Sequence, residues 1–431
     1  MNNKGIAKST VVVIAIVIVI IAGIGIYLVI RAPPGKKPGE IWVAMVTDVG
    51  GRGDMSFNDM GFRGCDLAKA QGIVDKVTEV ISTTPEDYQP NLEELAATGD
   101  YDLIIPIGFL LTEATATVAQ EYPEQNFACI DFVPSWETLP LTNGTLGVFF
   151  AEEQSGALEG VLAGLIAAAY NKSYVSAVFG MEIPPVWAYE IGFKWGLNWT
   201  IGEGGWYESK FGETASGIGE TQIKERLIYD YTGTFGDPAL GKTTAEAQLA
   251  YEVATVWGCA GGTGLGAFDA VEEYHTAHNI PKNEPPFILG VDADQDWMNP
   301  GLVIGSGMKR IDQAVLYICQ LVQEGKFKDT VQDTNGILML GIEDGASGIS
   351  NLELLDDFIQ FGIDYEELTG EQVLPASAEE IKADVEAMRD AQPDWVWEGL
   401  AEFESKIETG EITVPRADEE DEVDDWRAIF G

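Results

Sequence analysis

The sequence predicts an α/β protein of two lobes, each a doubly wound parallel sheet. Three observations carry this. Short apolar runs of strand character alternate with amphipathic segments that close on glycine. The alternation occurs twice, once in each half of the chain, without any residue-level repeat. The strand-like runs of the first half end at Asp48, Gly108 and Asp131, the carboxyl ends at which open sheets present groups to a ligand.

The elements follow in order. IWVAMVT reads as a strand, DMGFRGCDLAKAQG as a helix, KVTEVIST as a strand and NLEELAATG as a helix. YDLIIPIG, EATATVAQEYP and FACIDFV continue as strand, helix and strand. From about Ala151 the second series opens with EEQSGALEGVLAGLIAAAY, a helix rich in small residues. VSAVFG, AYEIGFKWGLNW, ERLIYDY, TTAEAQLAYEVA, VWGCAGG, a helix through DAVEEYHTAHN, and PPFILGVDAD complete it. Gly205–Ile223 is Gly-rich and polar and is expected as an inserted loop. Beyond about residue 370 the chain is helical and acidic, and the run ADEEDEVDDWRAIFG reads as a solvated tail, with WRAIF as a docking candidate.

Composition narrows the function. The 431 residues carry a formal charge of -45, so phosphate backbones are repelled and nucleic acid is excluded as a partner class. Hydrophobic residues make up 46%, enough for real cores. His275 and His278 have an i,i+3 spacing but no supporting ligand pattern, and are expected on a solvated helix face. Cys65, Cys129, Cys259 and Cys319 lie far apart, with no C-x-x-C. Three disulfide pairings stay open, although Cys129 and Cys259 sit in apolar runs that suit buried thiols.

Val11–Ile30 is twenty residues without a charge, long enough for a bilayer core. No small-residue cleavage site and no cysteine follow directly, so a retained membrane anchor is expected rather than a signal peptide or a bacterial-type lipid anchor. The rival is processing after Lys4-Gly5, which resembles archaeal pilin-like signals. Flanking lysines and arginines do not settle topology, but sequons at Asn143, Asn171 and Asn198 point the body outward. Arg31–Gly39 is a Pro/Gly/Lys linker holding the body off the membrane.

Motifs for catalysis are missing. There is no phosphate loop in the right register and no G-x-S-x-G, and no acid is singled out for glycosidase work. A binding site remains. Aspartates at strand ends, with Phe57, Tyr189 and tryptophans to stack, suit a flat, neutral, hydroxyl-rich solute.

Six stretches in order carry a resemblance: VTDVGGRGDMSFNDMGFRG, CIDF, YTGTFGDPALGK, CAGGTGLGAF, GVDADQ and SGMKRIDQAV. Together they resemble the basic membrane protein family, the extracytoplasmic solute-binding proteins of ABC importers that include purine nucleoside receptors. The similarity runs from about Ile41 to Pro415, where FESKIETGEITVP looks like the family's closing helix and strand. It implies the type I periplasmic-binding-protein fold, with a hinge and an interlobe ligand cleft. It implies a first lobe from 40–148 and 308–336 and a second from 149–307 and 337–369, after an anchor and linker at 1–39 and before an extension at 370–431. Crossings between lobes are expected near Gly147–Glu152, Gly307–Arg310 and Gly336–Gly341.

By the same resemblance Asp48 is the strand-end acid of the cleft, Phe57 the aromatic stacking on a base and Asn58 its polar neighbour. Asp131 would contact base or sugar, and Gly261 or Gly262 would offer backbone groups. Asp292 and Lys309 would hold ribose hydroxyls, with Lys309 keeping Asp292 ionised. Tyr189 stands where the family has a second stacking Phe, a departure that loosens purine selectivity, with Trp187 as the fallback. The function implied is a membrane-anchored, monomeric receptor that delivers a nucleoside to an ABC permease, without cofactor, metal or catalysis. A sensor or a receptor for another small hydroxylated solute is the alternative, and a nucleoside hydrolase the more distant one.

Overall fold

The computed structural model describes residues 35–132, 144–212, 214 and 226–430. The apolar run Val11–Ile30, the Asn143 sequon and much of the Gly205–Ile223 insertion lie outside them. Among the described residues no helix is long and apolar enough to cross a membrane. The stretch before Ile41 is a unit of its own, turning at Lys37–Glu40.

From Ile41 onward the described residues build two six-stranded sheets. The first takes β1 (Trp42–Thr47), β2 (Lys76–Ile81), β3 (Leu103–Ile107), β4 (Phe127–Ile130) and β5 (Thr145–Phe150). The second takes β6 (Val175–Phe179), β7 (Leu227–Tyr231), β8 (Thr255–Trp257), β9 (Phe287–Asp292) and β10 (Val303–Lys309). Then β11 (Ile337–Leu340) returns to pair with β5, and β12 (Ser347–Ile349) goes back to β10. All pairings are parallel except β10 with β12. The third crossing therefore follows Leu340 rather than residue 336.

Both faces of each sheet are covered, and that is why the strands read as continuous apolar runs. In β1, Val43 and Met45 join the core shared with helices Phe57–Ala70 and Ile311–Gln323. Ala44 and Val46 point the other way, into the core under Tyr88–Thr98 and Thr112–Glu121. The second sheet alternates likewise, with Trp257 and Leu289 on one side and Val256 and Ile288 on the other.

The small-residue helix Glu152–Ala169 lies against Pro184–Ile201 at unusually short range. A methyl at Gly160 would sit 2.0 Å from the Phe193 carbonyl oxygen, and one at Gly196 2.0 Å from that of Ala157. Only hydrogen fits, and the close approach sets where Tyr189 stands. Overpacking costs about 1–3 kcal/mol, and more where a backbone atom is struck and cannot rotate aside. Gly160→Ala should therefore lower unfolding stability by about 3 kcal/mol in a guanidinium titration. A loss below about 1 kcal/mol would show that the helices part easily.

The acidic C-terminal region is packed, not free. Helix Leu355–Thr369 seals the first lobe through Phe358 and Ile359, and Ala378–Asp390 adds Ile381 and Val385. Asp394–Glu408 covers the second lobe through Val396, Leu400 and Phe403. No strand follows at Glu411–Pro415, although Val414 is buried in that lobe. The last helix, Glu420–Phe430, docks on Pro184–Ile201, burying Val423 beside Ile191. Its acids face water while its apolar stripe finds a partner, so the docking of WRAIF overrides the tail reading. Part of the expected inserted loop is likewise a helix, Trp206–Phe211, whose Trp206 indole donates to Glu402 Oε2 at 2.9 Å.

His275 is buried, with ring nitrogens 3.4 and 2.8 Å from the carbonyls of Ile280 and Pro286, and only His278 is exposed. The helix face expected to be solvated turns one histidine inward. All four cysteines are buried free thiols.

Candidate ligand-binding site

Strand ends from both sheets converge on one cavity of about 70 Å³. Asp48, Phe57, Asn58, Asp131, Tyr189, Gly261, Asp292 and Lys309 line it; Gly262 does not. Phe109, Phe235, Asp54 and Cys259 line it as well, none of them among the expected ligand contacts. Phe235 belongs to the stretch YTGTFGDPALGK, and Phe109 follows the strand-end Gly108, so both had a signal.

The dense Asp/Gly loop after β1 is held by its own acids. Asp48 Oδ1 accepts from the Gly50 N–H at 2.9 Å and from Asn58 Nδ2 at 3.3 Å. Asp54 accepts from the N–H groups of Ser56, Asn58 and Asp59, satisfying donors at the start of helix Phe57–Ala70. Asp59 accepts from the N–H groups of Gly53 and Met55. Gly108 has φ +110°, and a methyl there would lie 2.6 Å from Asp48 Oδ2, so this strand end accepts only glycine. The loop leaves the Phe57 ring half-buried at the cavity.

Beside Phe57 lies the only ammonium that the described residues bring to the cavity wall. Lys309, 1% exposed, has Nζ 2.5 Å from Asp131 Oδ2, 2.9 Å from Glu152 Oε1 and 5.0 Å from the Phe57 ring centroid. Burial pushes the Lys309 ammonium toward neutrality, but Asp131, Glu152 and Asp292 together hold it above its ordinary value, firmly charged. Burial lifts Asp131 to about 7 against the pull of Lys309. Glu152, although buried, is held below the usual carboxylate range by Lys309 and Arg416.

Asp292 is bound differently from expectation. Its Oδ1 accepts from the Tyr189 hydroxyl at 2.7 Å and its Oδ2 from Ser56 Oγ at 3.0 Å, while Lys309 turns to Asp131 and Glu152. Burial raises Asp292, and Lys309 acts on it only through space, opposing that rise with Tyr189 and Ser56. The tyrosine in place of a second Phe thus has a partner for its hydroxyl, and its ring edge rests on Trp257 at 5.7 Å and 83°. Ser56 also donates to the Val291 carbonyl at 3.1 Å, so the lobes touch across the cleft. Trp187 packs with the C-terminal helix and does not line the cavity.

Among the described residues two buried cavity oxygens have no partner, Asn58 Oδ1 and Asp131 Oδ1. Both accept. The wall therefore offers half-buried aromatics, several acceptors and one ammonium already held by carboxylates. It suits a flat, neutral solute bearing hydroxyl or amino donors, and it repels phosphate. Burial pushes the Cys259 thiol well up, which leaves it a poor nucleophile. Among the described residues no cluster of histidine, cysteine and acid can hold a metal ion.

The profile of the Bmp family, described as ABC transporter substrate-binding protein PnrA-like, matches residues 41–200 and 208–367. The chain belongs to the Bmp family. A relative, an uncharacterized lipoprotein of Pyrococcus horikoshii, is 34% identical over 384 residues, covering 89% of this chain and 86% of that one. The ABC transporter nucleoside-binding protein BmpA of Lactococcus lactis is 28% identical over 337 residues, covering 74% and 86%. A crystal structure of an ABC transporter solute-binding protein from Aeropyrum pernix superposes with a TM-score of 0.74 at 32% identity, covering 89% of this chain and 96% of that one. The fold is the type I periplasmic-binding fold, and the protein is a Bmp-family ABC transporter substrate-binding protein.

Proposed function

We propose that this protein captures a nucleoside, by preference a purine nucleoside, between its lobes and hands it to an ABC importer. The observation that carries the reading is the cavity itself: aromatic rings stand in its wall beside carboxylate and amide acceptors, and two of those acceptor oxygens are buried without a partner among the described residues. Phe57 stacks on the base, Asp131 and Asn58 accept from it or from the sugar, and Asp292 accepts from ribose hydroxyls. The nucleoside-binding relative from Lactococcus lactis supports the ligand class. The body stands outside the cytoplasm, held by the apolar run Val11–Ile30; the outward sequons Asn171 and Asn198 are exposed. Sites for organic ligands enclose about 300–1,000 Å³. The cavity holds about 70 Å³, so the lobes part to admit a nucleoside. That small volume favours a second reading, a smaller hydroxylated solute; mass spectrometry of what denatured protein releases separates the two.

Asp292 supplies a sharper test. Hydrogen bonds to a charged group contribute roughly 1.5–3 kcal/mol. Asp292→Asn should weaken adenosine binding by about tenfold or more in isothermal titration, and leave adenine nearly unaffected. Because Asp292 also receives Tyr189 and Ser56, equal losses for adenosine, its 2',3'-dideoxy analogue and adenine would show that it holds the cleft rather than the sugar.

A further inference from the structure

Arg416 lies beyond the stretch that the family profile matches. Its Nη1 donates to the Phe150 carbonyl at 2.8 Å, to Glu152 Oε2 at 2.6 Å and to Glu153 Oε2 at 2.8 Å, while its Nε donates to Asp418 at 2.8 Å. Phe150–Glu153 is the first crossing between the lobes, so the C-terminal segment is bolted to the hinge. The segment is secured further along as well. Ala417 and Val423 are fully buried, and Arg427 donates to both carboxylate oxygens of Glu190 at 3.0 and 2.8 Å. Glu190 is the neighbour of the cavity residue Tyr189 on helix Pro184–Ile201.

The charges form an unbroken run inward. Arg416 holds one oxygen of Glu152; the other lies 2.9 Å from Lys309, and Lys309 holds Asp131 in the cavity wall. Glu152 and Asp131 are both buried, and they reach for the same ammonium. A buried carboxylate without a cation is costly, so the two compete unless one has a second partner.

We propose that Arg416 is a positioning residue for the ligand cavity: by neutralising Glu152 it leaves the Lys309 ammonium on Asp131, which keeps the second Asp131 oxygen turned to the solute. Without the guanidinium, Glu152 and Asp131 divide Lys309 between them, and Asp131 loses both its fixed position and its undivided charge. The C-terminal strap thus sets the affinity of a cavity it does not touch. The binding readout of this inference rests on the nucleoside reading; the geometry does not.

The test compares Arg416→Gln, Arg416→Lys, Glu152→Gln and the double variant Glu152→Gln/Arg416→Gln in the full chain, with adenosine and inosine as probes and a thermal melt of each. Arg416→Gln should bind about tenfold more weakly, and Arg416→Lys should stay within about threefold of the parent. Removing the Glu152 charge makes Arg416 dispensable, so the double variant should recover most of the lost affinity. A merely structural Arg416 would give additive losses, and that result overturns the proposal, as would unchanged binding in Arg416→Gln. Ligand-free crystal structures decide the geometry separately: Lys309 should swing from Asp131 toward Glu152 in Arg416→Gln and return in the double variant. If the parent binds neither nucleoside, the functional reading falls while the crystal comparison still judges Arg416. If Arg416→Gln does not fold, a lysine variant with affinity and Lys309 position unchanged supports the role of charge, and one that loses both contradicts it.

Discussion

Replacing Lys309 by methionine should cost about 3–5 kcal/mol of unfolding stability at neutral pH, the usual result of removing one partner from a buried ion pair. Methionine fills similar volume, so the loss is electrostatic. Asp131 and Glu152 lie 2.5 and 2.9 Å from the ammonium, and Asp292 interacts with it through space. None of the three is appreciably exposed, and among the described residues only Glu152 keeps another cation, Arg416. The pH dependence identifies the cause. Burial already lifts Asp131 to about 7 with Lys309 opposing, and losing Lys309 lifts it further. A carboxyl whose folded value lies above its unfolded value adds stability at low pH and loses it as pH rises through the folded value. Lys309→Met should therefore approach the parent protein near pH 5 and fall furthest behind at about pH 8 in guanidinium titrations. A deficit of equal size at both pH values would mean lost packing, not stranded carboxylates.

Phe57→Ala should weaken purine nucleoside binding by about 5- to 150-fold, since stacking a base on an aromatic ring contributes roughly 1–3 kcal/mol. Phe57 sits at the edge of the first lobe's core, half-buried, with its ring also facing the Lys309 ammonium at 5.0 Å. Truncation thus removes a cation–π contact as well, and a stability loss of about 1–2 kcal/mol is expected beside the binding loss. Phe57→Trp restores a stacking face and should recover most of the affinity. An alanine variant that unfolds, or that binds adenosine within about twofold of the parent, would assign Phe57 to the core instead.

The strand-end residues could be read in advance because a parallel sheet offers its carboxyl edge and little else to a ligand. Asp48, Asp131 and Asp292 each follow an apolar run, and the structure gathers all three on one cavity. What each side chain binds there was less readable. Lys309 was expected beside Asp292, yet it reaches Asp131, 178 residues away in the chain. Glu152 has no motif around it and becomes important only because β10 ends above it. β5 and β11 carry no clear period in TLGVFF and ILML, and only the neighbours they pair with define them as strands.

By itself the sequence determined the two α/β lobes, the strand ends that form the cavity and a formal charge of -45. These depend on period and composition, which are properties of neighbouring residues. Only the tertiary structure decided that the acidic C-terminal run is a docked helix, that His275 turns inward and that Arg416 bolts the hinge through Glu152, 264 residues earlier. A charged run looks solvated until the opposing surface is known. Arg427 has Glu190 to meet and Val423 has Ile191, and those partners come together only when the second lobe has folded. Local pattern specifies which face of an element is apolar, and packing alone specifies what that face, and the charges along its rim, will touch.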